Sequence, residues 1–132
     1  MIVVVDVANV LGSRPDGWWR DRAAAAAGLL VRLARLPGTE VVGPSGDLVP
    51  VDRLIAVVEG AARTASVPGG FGPVELVRAE RDGDSAIVGV AEDVAAAGDV
   101  ALVVTADRGL RQRLPQSVSA TGPNWLNGLI GR

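Results

Sequence analysis

The sequence predicts a three-layer α/β/α domain with a mainly parallel central sheet. Three observations point there. Ile2–Val5 and Val100–Thr105 are short, continuous, β-branched runs, the pattern of strands buried on both faces. Segments with helical spacing lie between such runs, so strand and helix alternate along the chain and place helices on both faces of one sheet. The chain has 132 residues, 48% of them apolar, with one Phe, three Trp and no Tyr, which suits a single domain (residues 1–132) around an aliphatic core.

Taken in order, Ile2–Val5 is the first strand and ends at Asp6. Val7 to Asp16 holds Gly12, Ser13, Pro15 and Asp16 and reads as a loop. Trp18 to Leu36 is Ala-rich, with Leu29, Leu33 and Leu36 at helical spacing, and reads as one long helix stopped by Pro37-Gly38. Thr39–Val42 suits a short strand, and Gly43 to Asp47 is a turn cluster. The apolar run within Val51–Gly60 fits a strand ending at Glu59-Gly60, with a helix from Val51 to Arg63 as the alternative that periodicity leaves open. Val67–Pro73 is a Gly/Pro loop, and Val74–Ala79 a strand. Asp84 then opens a helix with Ile87, Val90, Ala91 and Val94 on one face and Gly98 past its end. After the Val100–Thr105 strand come a short helix at Asp107–Leu114, an edge strand at Ser117–Ala120, and a last helix with Pro123 in its first turn.

Composition removes whole classes of chemistry. Without Cys there is no disulfide framework, thiolate zinc site or cysteine nucleophile. Without His there is no imidazole acid–base catalysis or Ser-His-Asp triad. All thirteen cations are Arg, so the P-loop lysine and Schiff bases are absent as well. What remains is Asp, Glu and Arg, a set that suits a hard cation, Mg²⁺ or Mn²⁺, better than zinc. A net charge of −2 offers no global attraction to nucleic acid, so any such contact needs a local Arg patch. No run is long enough to span a bilayer and no signal peptide is visible, from which a cytoplasmic location without membrane contact is expected.

In open α/β sheets, sites form outside the carboxyl ends of the strands. Here those ends are acidic. Asp6 ends the first strand, Glu59 the second if that run is a strand, Asp82 and Asp84 follow the third, and Asp107 follows the fourth. Parallel strands would bring these groups to one edge, where mutual repulsion favours a bound cation. Two Mg²⁺ ions about 3.5–4 Å apart could activate water and stabilise the leaving oxygen of a phosphodiester. Each residue also has a plain structural reading. A single acidic residue after a strand is ordinary, Asp84 serves as a helix N-cap and Asp82-Gly83 as a turn. The functional reading rests on their coincidence.

These residues carry a resemblance. Asp6-Val-Ala-Asn9 after a buried first strand is similar to the D-x-x-N opening of NYN domains, which belong to the PIN-like nucleases. Val103-Val-Thr-Ala-Asp107-Arg-Gly-Leu110 resembles their late V-[TS]-x-D strand with its short helix. Asp82-Gly-Asp84-Ser-Ala-Ile87 resembles the acidic start of the intervening helix, and Val57-Val-Glu59-Gly60 a strand that commonly ends in Asp-Gly. The stretch from Val10 to Arg22 resembles small actinobacterial members of the group. The resemblance implies a PIN-like, Rossmann-like fold and metal-dependent cleavage of RNA. It implies Asp6, Asp84 and Asp107 as metal ligands, with Asn9 steadying the first acidic loop or touching substrate and Thr105 orienting the Asp107 region. Glu59 departs from the usual Asp, and residues 37–50 read as an insertion or a divergent connection.

Two Arg groups flank the acidic ends: Arg14, Arg20 and Arg22 on one side, Arg108, Arg111 and Arg113 on the other. Phosphate contact, above all by Arg14, Arg108 and Arg111, weighs equally with a solvated helix face. Trp18-Trp19 reads first as an anchor to the core and second as a base-stacking surface. Trp125 and the apolar last helix would suit a homodimer. Rival folds lack their key groups. A phospho-acceptor receiver has no Lys to use, a haloacid-type phosphatase would want Asp where Ala8 stands, and a dinucleotide cofactor would want a Gly-rich first turn. Two function classes stay open, a metal-dependent ribonuclease and a catalytically weak PIN-like module that binds RNA or protein. A small-nucleotide phosphohydrolase would use similar chemistry.

Overall fold

A computed structural model describes residues 1–132. Its central sheet has five strands, all parallel. These are β1 (Ile2–Asp6), β4 (Arg53–Val58), β5 (Glu75–Arg78), β6 (Ala101–Val104) and β7 (Ser119–Thr121), in the spatial order β5-β4-β1-β6-β7. β1 lies at the centre, and its five residues are all buried. Two further strands, β2 (Glu40–Val42) and β3 (Leu48–Pro50), form a separate antiparallel hairpin.

Side-chain alternation divides the core into two layers. Val3 and Val5 of β1, with Leu54, Ala56 and Val58 of β4, pack against α1 (Val7–Gly12), α2 (Arg22–Leu33) and α5 (Pro123–Ile130). Ile2 and Val4, with Ile55 and Val57, face α3 (Gly83–Ala96) and α4 (Arg108–Arg113). The central strands are therefore apolar over Ile2–Val5, Leu54–Val58 and Ala101–Val104 because both faces are covered, as the unbroken aliphatic runs require. The three-layer α/β/α architecture expected from the sequence is the one observed.

Several local expectations are corrected. Val7–Gly12, expected within a loop, is helical. Asp6 caps it, and Val7, Val10 and Leu11 form a buried stripe at i, i+3, i+4, while Gly12 and Ser13 only mark its exit. The helix expected from Trp18 begins at Arg22, because the Asp21 side chain caps the Ala24 N–H at 3.0 Å. Trp18–Arg20 forms a lone 3-10 turn before it. Glu40–Val42 pairs in the hairpin rather than in the main sheet. The Val51–Gly60 run is a strand over Arg53–Val58, and the helical alternative fails there. Parallel pairing on both sides claims this run, and Gly60, at φ +56°, turns the chain out of the sheet just after Glu59. The edge strand lies at Ser119–Thr121, shifted from Ser117–Ala120.

No helix is long and apolar enough to cross a membrane.

Candidate active site at the carboxyl edge of the sheet

β1 is in register with both neighbours, and Asp6 pairs with Val57 of β4. On the other side Val5 pairs with Val104, so Asp6 is level with Thr105, the residue just beyond β6. Both are buried, Asp6 at 6% exposure and Thr105 at 0%. The Thr105 hydroxyl donates to Asp6 Oδ2 at 2.8 Å, and the Asn9 backbone N–H donates to Asp6 Oδ1 at 3.3 Å. Thr105 Oγ1 in turn accepts the Asp107 N–H at 3.1 Å. Asn9 closes the loop from the other side, its Oδ1 accepting the Ala106 N–H at 2.8 Å. The Asp-x-x-Asn of the first strand end and the Thr-Ala-Asp of the late strand end thus form one hydrogen-bonded unit.

Three helices begin at this edge, each capped by an aspartate. Asp6 caps α1, Asp82 caps α3 through the Ser85 N–H at 2.7 Å, and Asp107 caps α4 through the Leu110 N–H at 3.0 Å. Asp82, not Asp84, is the cap of α3, so the structural explanation offered for Asp84 falls away. Asp84 sits in the first turn and its carboxylate makes no hydrogen bond. Glu59 adds a second contact to the same helix start, with Oε2 accepting the Gly83 N–H at 2.6 Å. Gly83 is the residue the sequence reading missed, having passed it over as a turn former. A methyl group there would lie 2.8 Å from Glu59 Oε2 and 2.9 Å from its Cδ, so only glycine lets Glu59 come this close without displacement.

Electrostatics single out Asp84. Burial pushes its carboxyl above the usual range, then repulsion from Asp107, Glu59 and Asp82 in that order, with Arg113 opposing. The Asp6 carboxyl is also raised, chiefly by burial. The Thr105 and Asn9 hydrogen bonds oppose this, while Asp84 and Glu59 add repulsion. Asp82 is lowered, because the Ser85 N–H and hydroxyl both donate to it. The five predicted carboxylates therefore share one rim, with Asp84 coupled to the other four. As they stand, however, no three of them gather tightly enough to hold a metal ion between them.

The predicted arginines divide. Arg111 directs Nε and a terminal nitrogen to the Thr105 carbonyl at 2.9 and 2.7 Å, clamping the end of β6. Arg113 donates to Ser85 Oγ at 3.2 Å, beside Asp82 and Asp84. Arg14 reaches Asn124 Oδ1 at 3.1 Å and lines a polar hollow of about 620 Å³ with Asn9, Ser13 and Ala106. Arg108, in the first turn of α4, is exposed and has no carboxylate partner. Trp18 is half-buried, packs against the larger core cluster, and meets Trp19 edge to face at 6.1 Å between centroids.

In fold the chain is similar to Rae1 (YacP) from Bacillus subtilis, as seen in a crystal structure of that protein. The match covers 98% of this chain and 74% of the other, with a TM-score of 0.67 and 17% identity. At that identity the likeness is one of fold. No protein-family model matches the sequence, and no curated protein matches it.

Proposed function

We propose that this domain is a hydrolytic nuclease that cleaves RNA phosphodiester bonds with the help of Mg²⁺ or Mn²⁺ held at the acidic edge. One observation carries the reading. Five carboxylates from four separate chain segments share the carboxyl edge of a parallel sheet, and one of them, Asp84, is coupled to the other four while making no hydrogen bond of its own. The resemblance of the Asp6, Asp84 and Asp107 segments to NYN-type PIN-like nucleases supports the same reading.

The donor chemistry fits a hard cation. Of Asp6, Asp84 and Asp107, one or two would bind it directly and the rest through its waters, with Glu59 or Asp82 assisting in the same way. Mg²⁺ usually keeps several waters and binds through one or two carboxylates plus phosphate, so a closed ring of protein ligands is not required. When bound, such an ion supplies a nucleophilic hydroxide near neutral pH and stabilises charge on the phosphoryl oxygens. The chain's own residues do the positioning. Thr105 and Asn9 fix both oxygens of Asp6, and through Asp107 N–H and Ala106 N–H they fix the Asp107 loop against it. Arg108 and Arg14 would meet substrate phosphates as charge-assisted donors. Arg111 acts from behind, by holding the Thr105 carbonyl.

The experiment is hydrolysis of RNA in Mn²⁺ or Mg²⁺, with EDTA and Asp84→Asn as controls. Cleavage that needs the metal and disappears in the variant supports the proposal. The absence of a tight three-carboxylate cluster favours a second reading, a catalytically weak module that binds RNA or protein. RNA that is bound yet stays intact in metal-replete buffer would establish that one instead.

A further inference from the structure

The far end of α1, away from the acidic edge, is held by a polar cluster that the hydrolytic chemistry does not use. α5 ends at Gly131, whose φ of +70° turns the chain back, and the Arg132 N–H donates to the Asn127 carbonyl at 2.8 Å. The Arg132 side chain, only 10% exposed, then reaches the last turn of α1. Its guanidinium donates to the Val10 carbonyl at 2.7 Å and to the Leu11 carbonyl at 3.3 Å. Asn127 Oδ1 accepts from the same guanidinium at 3.2 Å, and Asp16 Oδ2 at 3.1 Å. Asn127 is buried and also donates through Nδ2 to Ser13 Oγ at 2.9 Å, while the Ser13 hydroxyl donates to the Val10 carbonyl at 2.6 Å.

α1 needs such support. It has six residues, far short of the roughly 12–15 at which an isolated helix becomes even marginally stable. Its last carbonyls have no partner within the helix, and no basic residue lies in its last turn. Arg132 brings in, from beyond α5, both the missing donors and the positive charge that the carboxyl end of a helix dipole favours. The other end of α1 is the acidic edge itself. Asp6 caps it, and Asn9 in its first turn accepts the Ala106 N–H at 2.8 Å. At a rise of 1.5 Å per residue the two ends are roughly 9 Å apart, so a short rod joins them. A tilt at the Arg132 end reappears at Asp6 and Asn9.

We propose that Arg132, fixed by Asn127 and Asp16, is a positioning residue for the acidic edge. By clamping the carboxyl end of α1 it sets where Asp6 and Asn9 stand against Ala106 and Asp107. It acts through α1 and touches no substrate. The inference rests on the nuclease reading for its effect on rate, and on the hydrogen-bond geometry alone for its effect on the edge.

The test compares the wild type with Arg132→Met, which keeps the apolar stem, Arg132→Lys and Asp16→Asn. Val94→Ala is the control. Val94 is buried in the opposite core layer, near the end of α3, so its truncation lowers stability without touching α1. Amide hydrogen exchange in EDTA, followed by NMR, is read at Asn9 and Ala106, whose N–H groups bond Asp6 and the Asn9 side chain. Both amides should exchange about tenfold faster in Arg132→Met, and Val94→Ala should not accelerate them selectively. Lys carries a compact ammonium that can meet one carbonyl but lacks the planar fork, so Arg132→Lys should fall between wild type and Arg132→Met. The Asp16 side chain is half exposed, so Asp16→Asn should show the same pattern at about twofold, and it remains informative if Arg132→Met fails to fold. In cleavage assays with Mn²⁺, kcat should fall about tenfold in Arg132→Met while KM stays within about twofold, because a misplacement of about 1 Å can cost as much as ~100-fold in rate. Arg132→Lys should recover part of that loss, and Val94→Ala should keep the wild-type kcat. Unaltered exchange at Asn9 and Ala106 across the Arg132 and Asp16 variants, equal acceleration in Val94→Ala, or turnover with wild-type kcat in Arg132→Met would overturn the proposal. Selective acceleration without turnover by any of the proteins, wild type included, removes the nuclease and keeps the hold of Arg132 on the edge.

Discussion

At the scale of single residues, Asp84 and Gly83 have opposite characters. Asp84 is a carboxylate whose ionised form the fold disfavours. Its folded pKa is raised, so between its unfolded and folded values the native state binds more protons than the unfolded one, and its contribution to stability falls as pH rises through that window. In metal-free buffer, Asp84→Asn should therefore stabilise the protein at neutral pH by up to about 1 kcal/mol, the range for solvent-screened charges. That gain should shrink toward zero as pH falls below the ordinary carboxylate range, where the group is protonated in both the folded and the unfolded chain. Urea titrations across pH would show this, and a loss of stability at neutral pH would mean that Asp84 makes an attractive contact that outweighs the repulsion. Gly83 is required by proximity. In Gly83→Ala the new methyl evicts the Glu59 carboxylate, a flexible group, so the cost is the lost charge-assisted hydrogen bond, about 1.5–3 kcal/mol, less a partial refund from the better helix propensity of Ala. Glu59→Gln should then cost markedly less in the Gly83→Ala background than in the wild type, and additive costs in that double-mutant cycle would refute the contact. Neither feature could be read from sequence. Asp82 and Asp84 are equally plausible caps on paper, and only the Ser85 N–H, three residues past Asp82, decides between them.

At the scale of elements, the acidic edge is a set of helix starts. Asp6, Asp82 and Asp107 each meet an N-terminal N–H, and the positive end of the helix dipole offsets part of their charge. Asp107→Ala should accordingly cost about 1 kcal/mol, the usual price of an N-cap, whereas Asp107→Asn, a comparable cap, should be nearly neutral in stability. Both should lose cleavage if the residue serves the chemistry, and full activity in Asp107→Asn would leave it a cap and nothing more. The elements themselves were largely legible. Unbroken aliphatic runs marked β1, β4 and β6, and Pro123 and Leu126 marked α5. Where the reading failed, a local competitor was responsible. Asp6 was taken as a strand end when it is also the start of α1, because Gly12, Ser13 and Pro15 gave the segment the composition of a loop although its buried stripe of Val7, Val10 and Leu11 is helical. Asp21 ended a helix that Ala content alone would have carried back to Trp18. The β2–β3 hairpin was invisible as such, since a three-residue strand has too little pattern to reveal its partner.

At the scale of the molecule, the carboxylates converge because the sheet is parallel and β1 lies at its centre, between strands that enter from both sides. That much followed from strand order and acidic strand ends in the sequence. How closely the side chains approach did not, because it depends on rotamers and on partners such as Thr105, Asn9 and Gly83 that no periodicity encodes. Cation binding at this edge, as proposed, would therefore be a property of the whole fold. The unfolded chain has acidic residues scattered from Asp6 to Asp107 and no preformed site, so a cation that binds the native edge stabilises it by mass action, by about 2.7 kcal/mol at a hundredfold excess over Kd. Thermal unfolding of the wild type should accordingly shift upward by several degrees on adding Mn²⁺. Asp84→Asn, which starts from the higher metal-free stability argued above, should shift little, so that the two melting curves approach or cross as the ion is added. Crossing would tie the repulsion in the free protein and the affinity for the ion to the same side chain. If Mn²⁺ leaves the wild-type melting temperature unmoved, or moves the variant equally, the edge does not take up the cation through Asp84, and Asp6, Asp82 and Asp107 are left with helix capping as their role.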